Sequence, residues 1–228
     1  MKSALMSFNN NSNIGLYAFV NDNIILVGPE VPEQYDKDLK EIFQVPLHRV
    51  TIAGTSLIGV FAAGTNEKLL VPGIIFKEEL EILRKILDDV GMKIEVIETK
   101  QTCLGNNIAI GKDKILVNNE FTEAQAKKLG ESLGLEAIRT RTDDIKTIGS
   151  LIVVNKDKGK GLVGNEISDD EFEEIASEIG YELTPSSINM GSPYLKSGIL
   201  CNKNGYVIGR FSGGPEISNA EEGLGYLD

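Results

Sequence analysis

Ile14-Gly15, Ile58-Gly59, Leu104-Gly105, Ile148-Gly149 and Ser197-Gly198 mark five short apolar strands, each containing a glycine, and the glycines lie 44, 46, 44 and 49 residues apart. A second apolar run follows each of them: Ile25-Leu26-Val27-Gly28, Leu69-Leu70-Val71-Pro72, Ile115-Leu116-Val117-Asn118, Gly161-Leu162-Val163-Gly164 and Tyr206-Val207-Ile208-Gly209. The valines of these runs repeat at 44, 46, 46 and 44 residues. A fixed period of this length marks a repeat architecture in which each unit buries its apolar face against the next. The units run over about residues 14–54, 55–100, 101–141, 142–189 and 190–228, the last completed by 1–13.

Each second strand leads into a segment whose apolar residues recur three, four and seven positions apart, as on one face of a helix. The stripes are Tyr35, Leu39, Ile42 and Phe43, then Leu80, Leu83, Ile86, Leu87 and Val90, then Ala126, Leu129 and Leu133, then Phe172, Ile175, Ala176 and Ile179. Capping boxes are expected at Thr122/Gln125, Ser168/Glu171 and Ser218/Glu221, and glycine stops at Gly91, Gly134 and Gly180. Third strands are expected at 48–53, 93–98, 136–140 and 182–184. The fifth unit has no third strand of its own, so residues 4–8 are assigned to it, closing the array and removing an open sheet edge. The expected fold is a five-bladed α/β propeller, pentein-like, in one domain with pseudo-fivefold symmetry. The alternative is two α/β domains with a boundary near Thr142–Ile145.

The chain has 228 residues, 23 Lys and Arg against 34 Asp and Glu, and a formal charge of −11. Such a surface repels a naked phosphate backbone, which disfavours a free-standing nucleic-acid binder and allows a basic protein partner. Cys103 and Cys201 make neither a disulfide framework nor a zinc site, so a reducing compartment is expected. No apolar run reaches membrane-spanning length, and the start breaks into Asn9-Asn10-Asn11-Ser12-Asn13 before a signal-peptide core could form. A cytoplasmic protein without membrane anchor, cofactor or metal is expected, and a monomer, because a closed propeller completes itself.

Four local patterns invite a chemical reading. Gly159-Lys160-Gly161-Leu162-Val163-Gly164 has the form of a dinucleotide fingerprint, but Leu162-Val163 is itself a strand, and Asp169-Asp170-Glu171 would set three negative charges where a pyrophosphate should lie. Asn155, Asp157 and Glu166 suit a calcium loop, yet its central glycine is replaced by Lys160. The pairs Asp88-Asp89, Asp143-Asp144 and Asp169-Asp170 are sequence neighbours, and neighbours on a helix do not face each other. His48 is the only histidine, and a nucleophilic enzyme could pair it with Cys201 or Cys103. Guanidine-modifying enzymes resemble this five-unit architecture and use a Cys, a His and carboxylates. Their histidine has a carboxylate two residues on, where this chain has Val50.

Uncharged polar residues cluster at the repeat glycines: Asn11-Ser12-Asn13, Thr55-Ser56, Asn106-Asn107, Ser150 and Asn189-Met190-Gly191-Ser192. They read either as turn formers or as one ring of hydrogen-bonding groups at one end of the propeller.

From Ser7 to about Ser218 the chain resembles the translation initiation factor 6 family of ribosome anti-association factors. The resemblance rests on Ser7-Phe8-x-Asn10-x-x-x-Ile14-Gly15, Thr51-Ile52-Ala53-Gly54, Leu69-Leu70-Val71-Pro72, Leu104-Gly105-Asn106, Ile148-Gly149-Ser150, Gly161-Leu162-Val163 and Asn189-x-Gly191-Ser192. Ending at Asp228, the chain lacks the longer regulatory tail of eukaryotic members and resembles the archaeal type. The resemblance implies a non-enzymatic factor on the inter-subunit face of the large ribosomal subunit, near a basic ribosomal protein and the sarcin–ricin loop. It would block the small subunit sterically, and a globule of this length has a radius of gyration of about 17 Å, enough to obstruct intersubunit bridges. The family is also linked to late large-subunit maturation and to release by a translational GTPase with a partner protein. Asn106 is the leading contact candidate, followed by Gly15, Asn13, Asn107, Ser150, Gly191 and Ser192.

Overall fold

The computed structural model describes residues 3–140 and 147–227. Five three-stranded sheets stand around one axis. In the first blade Ala18–Val20 (β2) pairs antiparallel with Ile25–Val27 (β3), which pairs parallel with Leu47–Arg49 (β4) across the helix Asp36–Phe43 (α1). A parallel pair needs such a crossover, which is why each helix falls between the second and third strands. The second blade uses Ala63–Gly64, Lys68–Pro72 and Lys93–Ile97 (β5 to β7) with Lys77–Asp89 (α2). Ile108–Ile110, Lys114–Val117 and Glu136–Arg139 (β8 to β10) form the third with Glu123–Leu133 (α3). Ile152–Asn155, Lys160–Gly164 and Glu182–Ser186 (β11 to β13) form the fourth with Asp169–Ile179 (α4).

The fifth blade contains Ile199–Asn202 (β14), Gly205–Gly209 (β15) and the helix Gly214–Gly223 (α5). Its third strand is Ser3–Met6 (β1), parallel to β15 with Ser3 opposite Tyr206 and Met6 opposite Gly209. The N-terminus therefore closes the ring, as the missing third strand requires. These sheets and helices make the five-bladed α/β propeller expected from the period.

Apart from the lysines that open three of them, the middle strands are apolar because both their faces are covered. Ile25 and Val27 enter the core shared with the fifth blade, beside Leu39, Phe43 and Val207. Leu26 points the other way, into the core shared with the second blade, beside Leu69 and Leu83. Leu70, Leu116, Leu162 and Val207 repeat the pattern, each entering the core of the following blade, so five apolar cores fill the five gaps between blades. Thr142–Ile145, where two domains would have met, lies outside the described residues. The core joining Ala109 and Leu116 to Ile148, Ile175 and Ile179 spans that point of the chain.

Helix punctuation follows the expectations with one correction. Thr122 and Gln125 exchange N-cap hydrogen bonds, as do Ser168 and Glu171, and Gly91, Gly134 and Gly180 take φ of 71°, 72° and 73°. Ser218/Glu221 is not a capping box. Pro215, which has no N–H to leave orphaned, starts α5 a turn earlier, and Glu216 accepts from the Gly213 N–H at 2.8 Å instead.

The repeat glycines lie in one-turn helices just before the first strands, at Ile14–Tyr17, Ile58–Phe61, Leu104–Asn107, Ile148–Leu151 and Leu195–Gly198, rather than within strands. A Cβ on Gly59 would stand 1.9 Å from the Gly15 carbonyl oxygen, on Gly105 2.0 Å from that of Gly59, and on Gly149 2.6 Å from that of Gly105. On Gly15 it would stand 1.9 Å from the Lys196 oxygen. The backbones around the axis touch, so only glycine fits at these four positions. The fifth equivalent is Lys196, second residue of its helix like the others, and not Gly198. Gly198 sits two residues on, against Ile188 and Asn189.

Candidate functional site

Because the third strands run parallel to the second, the turns after them and the one-turn helices share one end of the propeller. Three of these turns are held in left-handed backbone: Asn9 and Asn10 (φ 51° and 65°), Ala53 and Gly54 (54° and 72°), and Asn189, Met190 and Gly191 (49°, 69° and 102°). Each is closed by an isolated bridge, Phe8 to Asn11, Ile52 to Thr55 and Ile188 to Ser192. Left-handed backbone at Ala53 and Met190 is strained and persists only where neighbouring groups hold it.

Two carboxylates do that. Glu79, in the first turn of α2, accepts from the Phe76 N–H at 2.9 Å, the Thr51 hydroxyl at 2.5 Å, and the Ala53 and Gly54 N–H groups at 2.8 Å. Glu216, at the same place in α5, accepts from Gly213 at 2.8 Å, the Ser187 hydroxyl at 2.8 Å, Gly191 at 2.9 Å and Met190 at 3.3 Å. Burial pushes both carboxyl groups up, but the hydrogen bonds to the charged form prevail and hold each below the ordinary 4.5. In the first blade the Tyr35 hydroxyl donates to the Ser7 carbonyl at 2.8 Å.

Between the fifth and first blades this end carries a shallow groove of about 390 Å³, lined by Asn9 to Asn13, Asn189, Ser192 and Phe211. Asn189 Nδ2 donates to the Ser12 carbonyl at 3.0 Å and to Asn13 Oδ1 at 3.3 Å, and the Ser197 hydroxyl donates to the same Oδ1 at 3.3 Å. Uncharged amides and hydroxyls thus cross-link the two blades while lining the groove.

The structure brings Asn13, Gly191 and Ser192 together here. Asn106 lies in the third blade, half-buried in its one-turn helix, and its side chain has no hydrogen-bond partner among the described residues. The others are placed differently. Gly15 is buried beneath the Lys196 carbonyl, Asn107 is buried with its Oδ1 accepting from Asn118 Nδ2 at 2.7 Å, and the buried Ser150 hydroxyl donates to the Thr147 carbonyl at 2.6 Å. These three build the ring rather than present a contact surface. Exposed apolar side chains went unread in the sequence: Met190 at 85% exposure, Phe211 at 57%, Phe76 at 54% and Tyr194 at 50%. Their signal was an apolar residue at a turn tip or helix entry, outside any helical or strand period.

For Cys201 the nucleophile reading fails on geometry. Cys201 lies on a first strand, facing the axis, and His48 on a third strand, at the outside of its blade. The Cys201 thiol donates to the Val154 carbonyl at 3.5 Å, and burial pushes it up to about 12, the reverse of an activated thiolate. The dinucleotide pattern is a hairpin turn with Gly159 at φ 65°, and Asn155 is tied to the Leu224 carbonyl at 2.9 Å. Among the described residues no group of three or more His, Cys, Asp or Glu side chains could hold a metal, and no helix is long and apolar enough to cross a membrane.

Solved structures of similar shape are enzymes. The chain aligns over 76% of its length, and 69% of the other, with a dimethylarginine dimethylaminohydrolase adduct of S-methyl-L-thiocitrulline, at a TM-score of 0.57 and 13% identity. It aligns over 90% of its length, and 76% of the other, with the N-terminal domain of an arginine dihydrolase from the cyanobacterial ornithine–ammonia cycle, at 0.53 and 11%. At such identities the likeness is one of fold. Sequence relatives point elsewhere. Proteins named translation initiation factor 6 are 35% identical in Thermococcus onnurineus and 34% in Staphylothermus marinus, each aligned over 98% of both chains. The family model described as the eIF-6 family matches residues 3–223, and the chain belongs to that family of translation initiation factors.

Proposed function

We propose that this protein binds the inter-subunit face of the large ribosomal subunit and sterically prevents premature joining of the small subunit, with a further role in large-subunit maturation. Family membership carries the reading, and the groove end supports it. Its lining is uncharged, so it can approach RNA without strong repulsion while the net charge of −11 steers the molecule toward a basic ribosomal protein. Met190, Phe211 and Tyr194 supply apolar anchors beside the polar groove. Within this reading Asn106, Asn13, Gly191 and Ser192 are contact residues, and Gly15, Asn107 and Ser150 shape the ring beneath them. A basic ribosomal protein near the sarcin–ricin loop is the expected neighbour.

Co-sedimentation with isolated archaeal subunits, followed by addition of the missing subunit, tests it. Binding to the large subunit alone, with fewer joined ribosomes, is the expected outcome. No binding at moderate salt overturns it.

A further inference from the structure

Along the axis the five blades enclose a channel with two distinct rings. The first contains Gly15, Gly59, Gly105, Gly149 and Lys196. Five residues further on in every blade come Val20, Gly64, Ile110, Val154 and Cys201, all half-buried and all lining the space on both sides of them. Between the rings lies a cavity of about 140 Å³ whose side chains, Lys196 apart, are uncharged and mostly apolar, among them Ala18, Ile108 and Ile152. Beyond the second ring it meets a polar mouth of about 190 Å³ at the hairpin end.

Lys196 is the one charged side chain in the inner cavity. Where four blades have glycine, it projects its ammonium across the axis and donates to the Gly105 carbonyl at 2.9 Å. No carboxylate pairs with it among the described residues, and burial pulls it down to about 8, which leaves it mainly protonated at neutral pH. An ammonium has three protons to donate, so one carbonyl leaves two donors facing a space without acceptor side chains. A half-buried charge without a counter-ion is costly, and an entering anion would relieve that cost.

The mouth is suited to admit one. Lys112, Lys156 and Lys203 line it, on a molecule that is acidic as a whole. Of the acids there, Asp22 is engaged by Asn66 Nδ2 at 2.7 Å and by the Lys203 N–H at 2.8 Å, while Glu67 is exposed.

We propose that the axial cavity is a binding site for a small organic monocarboxylate, held with its carboxylate on the Lys196 ammonium and its apolar part against Val20, Ile110 and Val154. The apolar walls exclude a polyanion such as phosphate, which one ammonium cannot satisfy. The volume matches a guest about the size of benzene, larger than a halide.

Benzoate, its neutral isostere benzamide, and chloride are titrated separately into the full chain. Heat is read by calorimetry, and the Lys196 Cε and Nζ signals by NMR. Benzoate is expected to saturate at one per chain, shift the Lys196 signals, and bind at least about tenfold more tightly than benzamide or chloride, because only it combines a charged hydrogen bond with an apolar body. Lys196→Met is expected to abolish the preference for benzoate over benzamide, and Ile110→Phe, which fills the cavity and spares the lysine, to abolish benzoate binding. Should Lys196→Met fail to fold, the benzoate-to-benzamide ratio of the unaltered protein still decides. Equal binding of the two, equal binding of chloride, or a benzoate response confined to the surface lysines overturns the proposal. Ribosome binding is scored separately, so failure here leaves the proposed function standing.

Discussion

At the residue scale, neighbouring positions of the repeat do different work. Gly59 and Asn106 stand one residue apart in equivalent one-turn helices. Gly59→Ala drives a Cβ to 1.9 Å from a backbone carbonyl that cannot retreat without moving the first blade. The expected loss is above about 2 kcal/mol, read from the urea midpoint. Asn106→Ser removes a side chain without internal partners, so affinity for the large subunit should fall by about tenfold, measured by co-sedimentation, while Tm stays within about 2 °C. An equal loss of folding would make Asn106 structural. The four glycines were legible because contact between backbones leaves a side chain no room. Lys196 was not, because a residue that enters the axis instead of vacating it breaks the pattern, and Ser197-Gly198 offered a false match two residues away.

Elements repeat this contrast. The capping boxes at Thr122 and Ser168 were readable because both partners belong to one turn of helix. The Glu79 and Glu216 clamps were not, since apart from the local N–H of Phe76 or Gly213 their donors come from residues 25 to 28 and 25 to 29 positions away and meet only when a third strand returns beside its helix. Both carboxyl groups are held below 4.5 in the folded state, so their stabilisation is complete above the unfolded value and is lost as pH falls through the folded one. Glu216→Gln should therefore cost about 1–3 kcal/mol at pH 7 and flatten the decline in stability between about pH 5 and 3, seen as urea midpoints that move less with pH than those of the unaltered protein. It should also weaken large-subunit binding if the turn at Asn189 to Gly191 makes contact there, as we propose.

For the molecule as a whole, the period was enough to give the number of blades and the return of the N-terminal strand. The channel was beyond it: Val20, Gly64, Ile110, Val154 and Cys201 share no motif and become one surface only when five blades face one axis. Closure itself is testable. Removing residues 1–6 takes away the partner of β15 and exposes that strand's edge. The truncated chain should melt at lower temperature and associate through the bare edge, seen as a larger species in size-exclusion chromatography, where the full chain is expected to run as a monomer.

The seam between β1 and β15 also bears on how such a chain is made. Ser3 to Met6 leave the ribosome long before their partners, Tyr206 to Gly209, which four intervening blades separate from them in the chain. Every nascent chain shorter than that carries an unclosed ring with a bare strand at each end, and the blades already formed must wait for the final one before the edge disappears. Vectorial synthesis thus delays closure until β15 has been made.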